Sequence, residues 1–377
     1  MKRGLLFALT LTVSMSCAES QAFHFFGLET SSGNKPAVID AADPVPKTEA
    51  EIKTLEKHSA AGDSYFVHKD YTNALIEYEQ VVKVDEDNHK AHWMLGRILM
   101  SLRDYEEAEK EFTKLVSYQV RSSEAHRFLA DSLRLQGKFP QASLQYRKAI
   151  RFNHHNFLAH ANYADCLRQQ GASRLAAFEC KTAINIDSKQ ALPHLVLAQC
   201  YMADHLSELA TIEFKAAIDL NPEDPNTHVR FAHALANMEQ WDEAMNEFQK
   251  AVAINPNLSD GHLGLAWVLG CQAKYDQGLA EARRALSLAP SNADCHSTLA
   301  WLYAKKGDQL SAATQYKLAL KLNPTNPKLH RALGEALTQS GDVNGAIAEF
   351  YTTTQMQPHD YESKLTLHSL IQTKVNK

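Results

Sequence analysis

Small residues recur at two places in every 34 residues of this chain, and that spacing constrains the fold more than any other feature. With Leu55 as position 1, position 8 reads Gly62, Gly96, Ala130, Ala164, Ala198, Ala232, Ala266, Ala300 and Gly334. Position 20 reads Ala74, Ala108, Ala142, Ala176, Ala210, Ala244, Gly278, Ala312 and Ala346. All eighteen are Ala or Gly, with no insertion over 306 residues. Two antiparallel helices approach at the short end of the usual ~8–10 Å only where side chains are tiny. A bulkier group there overpacks the contact by about 1–3 kcal/mol.

Larger apolar residues surround these points. Position 7 carries Leu95, Leu129, Tyr163, Leu197, Phe231, Leu265, Leu299 and Leu333, and position 24 carries Tyr78, Phe112, Tyr146, Phe214, Phe248, Tyr316 and Phe350. Spacings of three and four within each half make two amphipathic helices. Gly137, Gly307 and Gly341 mark a turn between the halves, and Pro222, Pro256, Pro290, Pro324 and Pro358 stop the second helix. The first four copies hold Glu86, Val120, His154 and Ser188 at the proline site, so a less regular turn is expected there. Twelve prolines and 15 glycines in 377 residues are too few for a turn-rich β-sandwich, and a net charge of −5 argues against a basic nucleic-acid footprint.

These nine copies resemble the tetratricopeptide repeat (TPR) family, whose helix–turn–helix unit carries the same small, apolar and proline positions. The resemblance implies an all-α, right-handed α-solenoid of nine TPR helix–turn–helix hairpins plus a C-terminal capping helix. The repeats are 55–88, 89–122, 123–156, 157–190, 191–224, 225–258, 259–292, 293–326 and 327–360, within a solenoid over 47–360. Residues 361–377 form the capping helix and tail. A stack of this kind offers a long concave wall rather than a closed pocket. The implied function is a non-enzymatic protein–protein interaction scaffold of the cell envelope, binding a peptide or partner protein in that groove. An alternative is an accessory protein of polysaccharide export or assembly, contacting glycan or the export machinery. No motif for catalysis, a cofactor or a metal is present, and no nucleic-acid partner is implied.

By family analogy, positions 2, 5, 9, 12 and 13 face the groove. Arg97, Arg127, Arg134 and Arg168 fall there, interleaved with Asp131 and Asp165. They read either as an Arg-lined stretch for an acidic peptide or as helix pairs: Arg127–Asp131 at i,i+4, Asp131–Arg134 and Asp165–Arg168 at i,i+3. Trp267 and Trp301 occupy equivalent position 9, one above the other, and are the leading ligand-contact residues, since interface hot spots are rich in Trp and Arg. Trp93 and His233 join them. Trp241 does not, because position 17 also holds Tyr71, Tyr105, Phe139 and Tyr275 and reads as structural.

Position 4 is histidine in all nine copies: His58, His92, His126, His160, His194, His228, His262, His296 and His330. Stacked equivalent atoms stand ~8–10 Å apart, too far to share a zinc that needs nitrogens within about 2.1 Å. The column therefore reads as packing between the two helices, with part-buried, neutral rings.

Residues 1–18 read as a signal peptide: Lys2 and Arg3 precede an apolar run from Gly4 to Ser16, with cleavage after Ala18. This places the chain outside the cytoplasm, periplasmic or secreted, with no transmembrane helix in the mature form. The alternative is an outer-membrane lipoprotein through Cys17. Residues 19–46 read as a flexible linker. Cys166, Cys180, Cys200, Cys271 and Cys295 read as small core fillers, with a Cys166–Cys180 bond as the one pairing considered.

Overall fold

A computed structural model describes residues 47–375. The expected signal peptide (1–18, including Cys17) and linker (19–46) lie outside the described residues. Three hairpins come first: α1 (Glu49–Val67) with α2 (Tyr71–Val84), α3 (His89–Leu102) with α4 (Tyr105–Tyr118), and α5 (Ser123–Leu135) with α6 (Phe139–Phe152). Then come α7 (Phe157–Gln169) with α8 (Ser173–Ile186), α9 (Ala191–Ala203) with α10 (Ser207–Leu220), and α11 (Pro225–Asn237) with α12 (Trp241–Ile254). The last three are α13 (Ser259–Cys271) with α14 (Tyr275–Leu288), α15 (Ala293–Lys306) with α16 (Gln309–Leu322), and α17 (Pro327–Ser340) with α18 (Val343–Met356). A final helix, α19 (Tyr361–Val375), packs on α18. Each helix packs on the next along the chain, so the described residues form an all-α solenoid without strands. First helices also touch one another, α5 on α7, α7 on α9, α11 on α13 and α13 on α15, and so make an inner layer. No helix among the described residues is long and apolar enough to cross a membrane.

The repeated small residues have two different causes. A Cβ on Gly96 would lie 2.4 Å from the Phe112 ring, and one on Gly62 2.7 Å from Tyr78. Position 8 is small because the aromatic ring at position 24 lies across it. Position 20 instead meets backbone: a Cβ on Gly278 would stand 3.0 Å from the Ala266 carbonyl oxygen.

Every hairpin turns the same way. Position 15 is left-handed in all nine: Lys69, Arg103, Gly137, Gly171, His205, Glu239, Ala273, Gly307 and Gly341, with φ from 59° to 93°. The next residue's N–H then reaches back to the carbonyl of position 11, as in Lys138 to Leu133 (2.9 Å) and Lys274 to Leu269 (2.9 Å). That six-residue closure is the Schellman end of an α-helix. Only four of the nine residues are glycine. The other five accept a conformation that costs about 1–2 kcal/mol when a Cβ is present.

The histidine column packs between the helices, but the contact is polar. Nδ1 faces the residue 19 positions on: Glu77, Glu111, Glu179, Glu213, Glu247, Glu281 and Glu349 in seven hairpins, Gln145 and Gln315 in the other two, at 2.5–2.9 Å. Nε2 faces a backbone carbonyl six residues back, Glu86, Val120, His154, Pro222, Pro256 or Pro324, at 2.7–3.2 Å. Both ring nitrogens of His92, His126, His160, His228, His262 and His330 are thus engaged, one by the second helix and one by the linker before the first. The same contacts answer the missing prolines: Glu86, Val120 and His154 present their carbonyls to the ring as Pro222, Pro256 and Pro324 do, so the turn needs the carbonyl rather than the proline.

Candidate groove site

The inner layer carries two chemically different stretches. The first spans α5 to α7 and is built around Asp131. Arg127 donates to Asp131 (2.7 Å) and to Glu124 (2.6 Å), and its guanidinium lies 4.0 Å over the Phe128 ring. The Tyr146 hydroxyl (2.5 Å) and the Asn162 amide (2.9 Å) also donate to Asp131. Burial pulls the Asp131 carboxyl up, while Arg127, Tyr146 and Asn162 oppose the shift. Burial, joined by Asp131, drives the Tyr146 phenol well above its ordinary value. Arg168 donates to Asp165 at 2.8 Å, as its spacing suggests. Arg134 departs from expectation: its ion pair is with Asp165 of the next repeat, at 3.5 Å, rather than with Asp131. Nε of Arg134 and of Arg168 is buried without a partner, so these two forks are not fully used.

Arg97 is placed differently from the other three arginines. Its guanidinium lies between the rings of Phe66 (4.8 Å) and Trp93 (4.5 Å), and among the described residues it has no carboxylate partner. Trp93 packs edge-on against Phe128 at 6.2 Å. The planar cation is thus held by π-faces.

The second stretch is a depression of about 550 Å³ between α11, α13 and α15. Trp267 and His233 form its aromatic floor, and Arg230, Asp260, Asp294 and Thr298 stand around it. Gly264 on α13 has a local reason to be glycine, since a Cβ there would come 2.1 Å from the Phe248 ring. Phe248 in turn meets His233 edge-on at 4.9 Å, and Trp267 packs against Trp241 at 5.7 Å. The rings are therefore fixed from behind by core residues and present one surface to solvent. Arg230, Asp260 and Asp294 are exposed and make no ion pair among the described residues. Burial pushes the His233 imidazole below its ordinary value, with Asp260 opposing. Its edge reaches water, but the concave packing surrounds the ring with protein.

Trp301 is not part of this depression. It lines a separate one with Lys305, Tyr316 and Glu335, and its ring covers Gly270, where a Cβ would lie 2.3 Å away. The two tryptophans that share a register position thus serve different places. Each leans back on the preceding repeat, Trp267 toward α12 and Trp301 toward α13. Among the described residues no group of three or more His, Cys, Asp or Glu side chains is placed to hold a metal.

Two sets of residues escaped the sequence reading. The Glu/Gln column at position 23 is as regular as the histidines it faces and is found by stepping 19 residues from each of them. Asp260 and Asp294 stand at position 2, one of the groove positions, whereas Arg230 and Thr298 at position 6 have no such signal. They converge because three successive first helices stack.

Three segments match family models described as TPR or tetratricopeptide repeats: residues 67–131, 225–258 and 302–341. No curated protein matches the chain. Among solved structures it is similar to the APC/C hetero-tetramer Cut9-Hcn1, at 18% identity and TM-score 0.58 over 76% of this chain and 57% of that one. It therefore spans little more than half the length of that chain. A TPR protein from Parabacteroides merdae is similar at 17% identity and TM-score 0.53, over 66% of this chain and 98% of that one. PilW, described as a widely conserved type IV pilus biogenesis factor, is similar at 18% identity and TM-score 0.52, over 57% of this chain and 99% of that one. Residues 67–131, 225–258 and 302–341 thus match tetratricopeptide repeats, and the same hairpin stack runs through the described residues as an all-α solenoid.

Proposed function

We propose that the chain is a non-enzymatic scaffold that binds a protein or peptide partner on its inner face, centred on the depression at Trp267. The observation that carries this reading is the set of unpaired Arg230, Asp260 and Asp294 around a rigid aromatic floor. Buried or paired charges have their partners already, whereas these three keep hydrogen-bonding capacity for another molecule. An aromatic anchor backed by core packing loses little conformational freedom on binding, which suits a hot spot. TPR proteins bind protein or peptide partners, and that family use supports the reading, as does the description of PilW as a biogenesis factor. None of the matches supports the glycan alternative. The leader pattern at residues 1–18 supports a site of action outside the cytoplasm, in the cell envelope.

The test is affinity capture on the immobilised chain, with the captured proteins identified by mass spectrometry. Trp267→Ala combined with Asp260→Asn should lose partners that Arg134→Ala keeps. If the first variant retains every partner of the parent, the depression is not the binding site.

A further inference from the structure

Among the described cysteines, two meet. Cys180 on α8 and Cys200 on α9 are both fully buried and belong to one apolar cluster with Leu167, Val196 and Leu197. They face each other in the α8–α9 contact, across the boundary between the fourth and fifth repeats. The register shows why this junction is unusual. Position 24 of one repeat and position 10 of the next hold Phe112 and Ser132, Phe214 and Ala234, Tyr316 and Ala336, or in reverse Ala282 and Leu302. At every other junction at least one of the two is large, as also in Tyr78 and Ile98, Tyr146 and Cys166, and Phe248 and Val268. Only here are both cysteine, two small, polarisable groups that fill the space together. Cys166, the partner considered from sequence, stands by Tyr146 instead.

We propose that Cys180 and Cys200 form a disulfide when the chain meets a small-molecule disulfide oxidant, and that this bond staples the fourth repeat to the fifth. Cys200 is the attacking member. The neighbouring Cys180 thiol holds it below the ordinary value, burial opposes this, and Arg168 assists it. The Cys180 thiol is pushed up by Cys200 and by burial, so it keeps its proton until the second step. The Cys200 thiolate attacks one sulfur of oxidised glutathione, making a mixed disulfide and expelling one glutathione thiolate. Cys180 then loses its proton and attacks the Cys200 sulfur, expelling the second. Two protein thiols are oxidised, and one external disulfide is reduced to two thiols. Both sulfurs are buried, so the first attack waits on local opening of the α8–α9 contact and is slow.

The full chain is incubated with oxidised glutathione, in buffer and in urea below its unfolding transition. Free thiols are then alkylated under denaturing conditions and the peptides mapped by mass spectrometry. The count of free thiols should fall by two, with one cross-linked peptide pair carrying Cys180 and Cys200, reversed by dithiothreitol. A Cys271→Ser chain, lacking the exposed thiol, should give the same pair. Cys180→Ser should stop at a glutathione adduct on Cys200. Retention of both thiols in both incubations, or pairing of either with another cysteine, overturns the proposal.

Discussion

The inner face at α5–α7 and the inner face at α11–α15 share register positions but use them in opposite ways. At α5–α7, Arg127 and Asp131 stand four apart on one helix, and Tyr146 at position 24 supplies a hydroxyl that closes on Asp131. The charges neutralise one another beneath the surface. At α11–α15, position 9 holds His233 and Trp267, and position 24 holds Phe248 and Ala282, which have no hydroxyl to offer. The charges there sit at positions 2 and 6 and find no partner. A charged residue on the inner face is therefore informative only when what stands behind it is known: Arg127 is structural, Arg230 is available.

Removing Asp131 should have the largest effect. Asp131→Ala leaves the buried Tyr146 hydroxyl without its acceptor and Arg127 with Glu124 alone, and should cost about 3–5 kcal/mol, read as the loss in urea-unfolding free energy. A loss under 1 kcal/mol would erase the distinction between the two stretches. Next come the clips. His228→Ala leaves Glu247, which is only 8% exposed, with Lys250 alone and should cost about 2–3 kcal/mol. His126→Ala faces the uncharged Gln145 and should cost only about 1–2 kcal/mol. Equal losses would show that the carboxylate adds nothing.

The turns differ too. Gly137 and Gly171 serve the first stretch, whereas Glu239 and Ala273 serve the second with φ of 61° and 59°. Ala273→Gly should therefore stabilise the chain by about 1 kcal/mol, seen as a higher urea midpoint, while Gly137→Ala should destabilise it by a similar amount. Asp260→Asn with Asp294→Asn should change stability by less than about 0.5 kcal/mol, since neither carboxylate is paired, while weakening partner capture. The smallest effect concerns His233. Its folded pKa lies below the unfolded value near ~6.5. The unfolded state then binds more protons below that value, so this contribution is complete above pH ~6.5 and is lost as pH falls through the folded pKa. An NMR titration of the His233 ring should give a midpoint below ~6.5; one above it would contradict the burial described.

How much of this was legible in the sequence differs by element. The hairpin stack was, because backbone approach at position 20 and ring coverage at position 8 leave room only for Ala or Gly, and a local steric rule leaves a local mark. The position-15 turn was half legible: Gly137, Gly307 and Gly341 announce it, but His205 or Ala273 do not, because the Schellman closure imposes left-handed backbone without asking for glycine. The turns after Glu86, Val120 and His154 looked doubtful for lack of proline, yet a carbonyl held by the next histidine does the same work. Arg127–Asp131 was readable from i,i+4 spacing. Arg134–Asp165 was not, since it crosses repeats. Trp267 and Trp301 looked like one site by register, but side chains that lean on the preceding repeat end in separate depressions.

The clip at position 4 has a mechanical consequence. Each one fastens a first helix to its own second helix and, where the upstream carbonyl is engaged, to the linker from the previous hairpin. Tension applied to the two ends of the solenoid loads these fasteners in series rather than all at once. The molecule should then lengthen in steps of about one repeat, giving way first where a glutamine replaces the glutamate, like a zipper with two softer teeth.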